Sequence, residues 1–418
     1  MNLLSKAGFS NIPRLVWGIC VVTFIVNLGN YMTPFMSTYL SFNLGISPEI
    51  SGLYVSLAGL AFLPGSLIGG KLVDTWGKRE VFILFQLLAM IVTVIHIFVF
   101  DKIGTPVLFI LNSFFVAATI PVYNSTIFDV SNQSNMKDSL SAFFIGLNIG
   151  NVFSSLIGAA LFIRHYKLLF MVEALMKFLS LVIFTVFLGD ISGKIQKQEK
   201  EAGTSSIESL NKQTGFINVL FETPILLLFS IVCICFSVVL SQNNYALPLH
   251  LNSIFGETGT SYYGILLAIN AFTIALFTGF INNATKKKPR LDLILVACTF
   301  LGIGVVMMFL GRVFWFFAIS TITWSLADIL NTPNSSAYFS EYAPPSMSGR
   351  FAAWIKIVTG AGYAVGPILV GFIISRYNTT LVWLFLLIFI LISILVLCIV
   401  RAADRRNKQI PTNKGCCK

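Results

Sequence analysis

The chain has 418 residues, 56% of them hydrophobic and 11% charged, against roughly 25% charged in an ordinary soluble domain. So few charges cannot cover one soluble globule or several smaller ones, so much of the surface must face lipid. The net charge of +11 would suit nucleic acid only if the basic residues clustered on one face, and here they are scattered between apolar runs.

A helix needs about 20 mainly apolar residues to cross a bilayer. Twelve such runs follow one another, at 15–40, 50–72, 80–100, 106–128, 139–162, 168–188, 223–247, 260–283, 291–310, 313–338, 351–375 and 380–400. No ten-residue alternating segments of a β-barrel are visible. The first run follows Lys6 and Arg14 and exceeds the core of a secretory signal, so it reads as a retained span. The expected fold is an all-α integral membrane protein whose twelve helices form two six-helix pseudo-symmetric bundles. Residues 1–189 make the first bundle and 223–400 the second. Between them, 190–222 read as a polar linker ending in an amphipathic piece around Phe216–Phe221, and 401–418 as a basic tail. Lys102, Arg164, Lys167, Arg312 and Arg376 are the basic residues on one side of the membrane; Lys177 and Lys356 lie within spans, and the other 21 lie on the opposite side. Positive charge marks the inner side, so both termini are expected in the cytoplasm.

Of the seven cysteines, Cys20, Cys233, Cys235, Cys298 and Cys398 sit in apolar runs with no ligand spacing to His96, His165 or His250, so neither zinc nor a disulfide framework is expected. Cys416 and Cys417 read as free thiols of the tail. Gly65 to Lys71 mimics the opening of a phosphate-binding loop, but Leu72 stands where a hydroxyl must hold magnesium. With no catalytic constellation, neither an enzyme nor a cofactor is expected.

An offset of 212 residues superposes Pro121 on Pro333, Asp129 on Glu341, Ser134 on Ser346 and Gly150 on Gly362. Four matches in one register argue for duplicated halves, one way to build a transporter around a midplane site. Between spans two and three stands Gly70-Lys71-Leu72-Val73-Asp74-Thr75-Trp76-Gly77-Lys78-Arg79. It resembles the signature loop of the major facilitator superfamily: Gly, three residues, Asp, two residues, Gly and a basic pair. A decayed copy begins at Gly279, with Asn283 and Lys286–Lys288. The resemblance implies a latch at helix ends made by Gly70, Asp74, Gly77, Lys78, Arg79 and Asp129, with Glu341 and Arg350 in the second half. A carboxylate held near cations there makes a charge-assisted contact that opens as helices move. Asn112 and Ser113 of span four stand where many proton-driven drug exporters of this family place an arginine.

Ionisable groups within spans are costly and are functional candidates. Glu173 and Lys177, four apart on one helical face, can pair. Asp328 lies near the middle of span ten, sharing a face with Asn331 and Trp324, and is the first candidate for a coupling proton; Glu173 is the second. Lys356 lies in span eleven. Asn27, Asn30, Tyr31, Tyr123, Asn124, Asn148, Gln242, Asn243 and Tyr245 supply polar groups for a cavity lining, together with Lys177, Trp324, Asn331 and Lys356. The resemblance ranks spans one, four, seven and ten as cavity helices. Glycine pairs such as Gly65–Gly69 and Gly146–Gly150 let helices approach closely.

The resulting expectation is a monomeric bacterial plasma-membrane protein with no nucleic-acid partner. It would move a small organic solute, drug-like or carboxylate siderophore-like, outward in exchange for protons by alternating access. An importer or facilitator of a sugar, organic acid or peptide is the second reading. A membrane receptor or structural protein that transports nothing is the third.

Overall fold

The computed structural model of the protein describes residues 12–132, 135–188, 223–342 and 348–409. The expected linker at 190–222, its amphipathic piece and the Cys416–Cys417 tail lie outside the described residues. Among those described, all regular structure is helical. The helices are α1 Arg14–Leu28, α2 Met32–Thr38, α3 Pro48–Trp76, α4 Lys78–His96, α5 Gly104–Val130, α6 Met136–Leu188, α7 Pro224–Leu240, α8 Ala246–Phe255, α9 Thr258–Thr285, α10 Arg290–Leu310, α11 Phe314–Tyr342, α12 Ser348–Arg376 and α13 Leu381–Gln409. Helix α6 bends at His165 (φ −136°, ψ 41°) into two limbs, each long enough to cross a bilayer. Among the described residues, eleven helical stretches are both long and apolar enough to do so. The twelfth span is α11, whose polar load of Thr321, Thr323, Asp328, Asn331, Thr332 and Asn334 sets it apart.

Two expected spans are not continuous helices. The first breaks at Gly29–Tyr31 before resuming as α2 and a π-helical turn at Tyr39–Asn43. The seventh breaks through a 3₁₀ turn at Ser241–Asn243 before α8, and runs on to Phe255. Apolar content alone hid both breaks. Gly29 with Asn30, and the polar run Ser241–Asn244, weaken helix continuity because short polar side chains compete for backbone partners. The two breaks stand 212 residues apart. So do the starts of α4 and α10, at Lys78 and Arg290, and the ends of α5 and α11, at Val130 and Tyr342.

Two compact units are formed. One contains α1 to α6, α8, most of α9 and the end of α12; the other contains α7, α10, α11, α13 and the remainder of α9 and α12. The first unit has a core of Val16, Ile19, Phe82, Phe85, Val122, Ile127, Phe143 and Phe184, in which Phe82 stacks on Phe184 at 3.8 Å between centroids. Helix α3 lies against α5 so closely that a Cβ on Gly65 or Gly69 would collide with the carbonyl oxygen of Phe114 or Ala118. Gly150 meets the backbone of Phe24 in α1, and its repeat partner Gly362 meets that of Ile234 in α7, so each half uses the same close crossing. In the second unit Phe229 of α7 packs on Tyr338 and Phe339 of α11, and the Trp354 indole donates to Ser230 Oγ at 3.0 Å.

Candidate functional site

At the helix ends that carry the basic loops, Gly77 both terminates α3 and starts α4 with φ 103°, a conformation that favours glycine. This turn delivers Lys78 onto Asp129 of α5 as an ion pair. The second half repeats the contact: Arg290, which starts α10, pairs with Glu341 of α11 at 2.9 Å and also donates to the carbonyl of Ala337. Lys78 and Arg290, like Asp129 and Glu341, are 212 residues apart. Each pair therefore ties neighbouring helices of one half. Asp74 and Arg79 are exposed and make no ion pair among the described residues, Gly70 lies 3.8 Å from the Pro121 ring by its would-be Cβ, and the side chain of Arg350 lies outside the description. Arg290 was not among the expected latch residues, although carrying Lys78 forward by the repeat offset locates it. In the second unit, Arg401 also pairs with Asp292 at 2.7 Å and the Tyr342 hydroxyl donates to Asp404.

Within the first unit, Glu173 and Lys177 are 2% and 5% exposed. The ammonium donates to Glu173 Oε1 at 2.8 Å, Thr93 Oγ1 at 2.6 Å and Asn112 Oδ1 at 2.7 Å, so its three protons meet three oxygens. One turn further, the Gln86 amide donates to Ser180 Oγ at 2.8 Å. Gly29, at the break of the first span, sits directly on this turn: a Cβ there would fall 2.6 Å from Met176 Cβ and 3.6 Å from Glu173 Cα.

The polar residues expected along the first and seventh spans gather at the two breaks. Asn30 Oδ1 accepts from Thr33, Asn27 donates to Thr23 O, Tyr31 is buried, and Gln242 and Tyr245 are fully buried while Asn243 is half-buried. The Tyr245 hydroxyl donates to the carbonyl of Pro48 at the start of α3 and lies 3.3 Å from Ser51 Oγ; Ser37 Oγ donates to Asn244 O and Tyr263 OH to Pro34 O. These contacts sew α8 and α9 onto α2 and α3 at the end opposite the basic loops. Gly52 and Gly371 complete the seam, since a Cβ on either would strike the backbone of Pro367 or Pro48. Tyr31 also lines a cavity of about 20 Å³ walled by Phe35, Tyr39, Phe109, Phe162, Tyr166 and Phe170, space for a single water. One expectation needs correcting: Tyr123 is packed into the apolar core against Phe82 and Phe143. The half-buried Asn148 donates to Phe144 O of its own helix. Asn124 is exposed.

In the second unit Asp328 is half-buried, accepts from the Thr332 hydroxyl at 2.7 Å and has Tyr363 of α12 within electrostatic reach. Lys356 is exposed one side of Tyr363 on α12. Asn331 accepts from Ser335 and is 8% exposed; Trp324 packs edge-on against Trp383. Trp324 and Asn331 therefore serve the helix packing behind Asp328, while Thr332, which no sequence spacing singled out, binds it directly. Among the described residues no three His, Cys, Asp or Glu side chains are placed to hold a metal ion. His96 is instead stacked on Phe170 and His250 bonded to Thr379.

The sequence pattern described as Major Facilitator Superfamily matches residues 19–359, with a second, overlapping match at 243–415. A Na(+), Li(+), K(+)/H(+) antiporter of Planococcus maritimus is 22% identical over 370 residues, 82% of this chain and 86% of that protein. Among solved structures, a POT family transporter in complex with thioalcohol conjugated peptide shares the fold at a TM-score of 0.78 and 16% identity, covering 96% of this chain and 98% of its own. The nucleoside transporter NupG does so at 0.75 and 15%, covering 94% and 100%. These relatives are transporters and not enzymes, and the two solved structures share this chain's fold. A pattern that matches most of the chain, on a duplicated helical fold that carries the signature loop, assigns the protein to the major facilitator superfamily.

Proposed function

We propose that the protein is a proton-coupled antiporter of the plasma membrane that exports a small solute by alternating access, with both termini in the cytoplasm. The observation that carries this reading is Asp328: an ionisable carboxylate within a membrane helix, half-buried, accepting from the Thr332 hydroxyl and making no ion pair among the described residues. Such a group exchanges a proton when the environment on its open side changes. Lys356 on the neighbouring helix favours a solute with a negative or mixed charge. A second reading, in which the exported solute is an alkali cation, is favoured by the Planococcus maritimus relative, whose name describes Na(+), Li(+) and K(+) exchange for protons.

Everted vesicles with an imposed pH gradient test both. Native protein is expected to dissipate the gradient when its solute is added, and Asp328→Asn to lose gradient-driven uptake while keeping solute exchange. Driven uptake that is unchanged in Asp328→Asn removes this residue from coupling. Addition of sodium or potassium salts against a panel of organic anions and drugs in the same vesicles separates the two solute classes.

A further inference from the structure

The cluster around Lys177 has a feature that ion pairing alone does not account for. Three oxygen atoms from three places in the chain, Thr93 Oγ1 of α4, Asn112 Oδ1 of α5 and Glu173 Oε1 of α6, converge on one point at 2.6 to 2.8 Å. All four residues are at most 5% exposed. A carboxylate flanked by a hydroxyl and a carbonyl oxygen is the donor set of a hard monovalent cation, and the occupant of that point is a cation, the ammonium of Lys177.

The duplicated half shows that bundle packing does not demand this arrangement. The positions 212 residues on from Thr93, Asn112, Glu173 and Lys177 are Val305, Trp324, Phe385 and Phe389. Val305 and Trp324 are buried, and Phe385 and Phe389 meet edge to face at 5.3 Å. The positions related by the repeat offset thus carry no charge in the second half, whereas the first half retains two charges in its interior at a considerable desolvation cost.

We propose that Thr93, Asn112 and Glu173 form a monovalent-cation site of the first half, which Lys177 fills from within as a tethered cation. The native protein accordingly needs no free alkali ion here, and a lysine shortened to alanine opens the site to one. The site lies under the break of the first span, because Gly29 rests on the backbone of Glu173 and on Met176. What fills the cage therefore bears on the one place where that span is not a continuous helix. The inference does not depend on Asp328 or on the direction of transport.

Thermal unfolding of the purified full-length protein in choline, lithium, sodium and potassium chloride at equal ionic strength tests it. Native protein is expected to show only whatever shift a transported alkali cation produces elsewhere in the molecule, which sets the baseline for the variants. Lys177→Ala is expected to be destabilised in choline and restored saturably by at least one alkali cation, by about 3 °C or more. The double variant Glu173→Gln/Lys177→Ala, which keeps the space but loses the carboxylate, is expected to show no such rise. Thallium(I), a heavy stand-in for potassium, should give an anomalous peak inside the cage of Lys177→Ala crystals. Lys177→Ala that unfolds alike in every salt, or that cannot be recovered with any of them, overturns the proposal. So does an equal alkali effect in the double variant, which would place the effect elsewhere.

Discussion

Loss of one member of a buried ion pair strands the other. Glu173→Gln leaves the Lys177 ammonium with only neutral acceptors in an interior where both residues are at most 5% exposed, and a stability loss of about 3–5 kcal/mol is expected. The neutral pair Glu173→Gln/Lys177→Met should recover most of it, as a double-mutant cycle read by thermal unfolding will show. Asp101 presents the opposite case, a fully exposed group before α5. The backbone N–H groups of Gly104 and Ile103, which it accepts, hold its carboxyl below the ordinary aspartate range. A depressed folded value means that these hydrogen bonds contribute above the unfolded pKa and are lost as pH falls through the folded one. Hydrogen exchange at Ile103 and Gly104, corrected for intrinsic rates, should lose protection on acidification in the native protein and be unprotected throughout in Asp101→Ala. At this scale the sequence was half legible. Spacing by four residues paired Glu173 with Lys177, but Thr93 and Asn112 lie 84 and 65 residues away from the lysine they bind, and no local periodicity links them.

Helix crossings decide what each glycine tolerates. Gly69 is expected to resist even a methyl group, because its Cβ would overlap the backbone of Ala118, whereas Gly59 has nothing within 4 Å. Gly69→Ala should therefore lower the unfolding temperature clearly and Gly59→Ala leave it unchanged or raised, since alanine is the better helix former. The two repeat-related ion pairs make a second comparison. Lys78 and Asp129 are 17% and 38% exposed, and Arg290 and Glu341 are 39% and 38% exposed, so each pair contributes roughly 0–1 kcal/mol to stability. Lys78→Glu is expected to cut transport far more than stability, and Lys78→Glu/Asp129→Lys to regain part of the transport; equal losses of both properties would make the pair a structural tie only. Twelve spans were legible because each must satisfy its backbone inside lipid over a set length. The interruptions at Gly29–Tyr31 and Ser241–Asn243 were not, since a few polar residues scarcely change the hydropathy of a thirty-residue window.

The seam opposite the basic loops joins segments from the two sequence halves within one compact unit. Tyr245, fully buried, reaches Pro48 and Ser51 there, and Glu49 N–H donates to Ser375 Oγ at 3.1 Å. Tyr245→Phe keeps the ring and removes the hydroxyl contacts. In a background without other cysteines, Ser375→Cys should then react faster with a membrane-impermeant thiol reagent than in the Tyr245 parent; an unchanged rate would exclude the hydroxyl as the fastening. By itself the sequence determined the membrane class, the number of spans, the duplication and the family, because each is written in composition, length and a fixed repeat offset that survive any rearrangement of loops. Only the tertiary structure decided which polar groups meet. It brought Thr93 and Asn112 to Lys177, carried Tyr123 into an apolar core, turned Thr332 onto Asp328, and placed Tyr245 against Pro48. Such meetings depend on the rotation of each helix about its axis and on where it bends, and those are settled by the packing of side chains from distant segments.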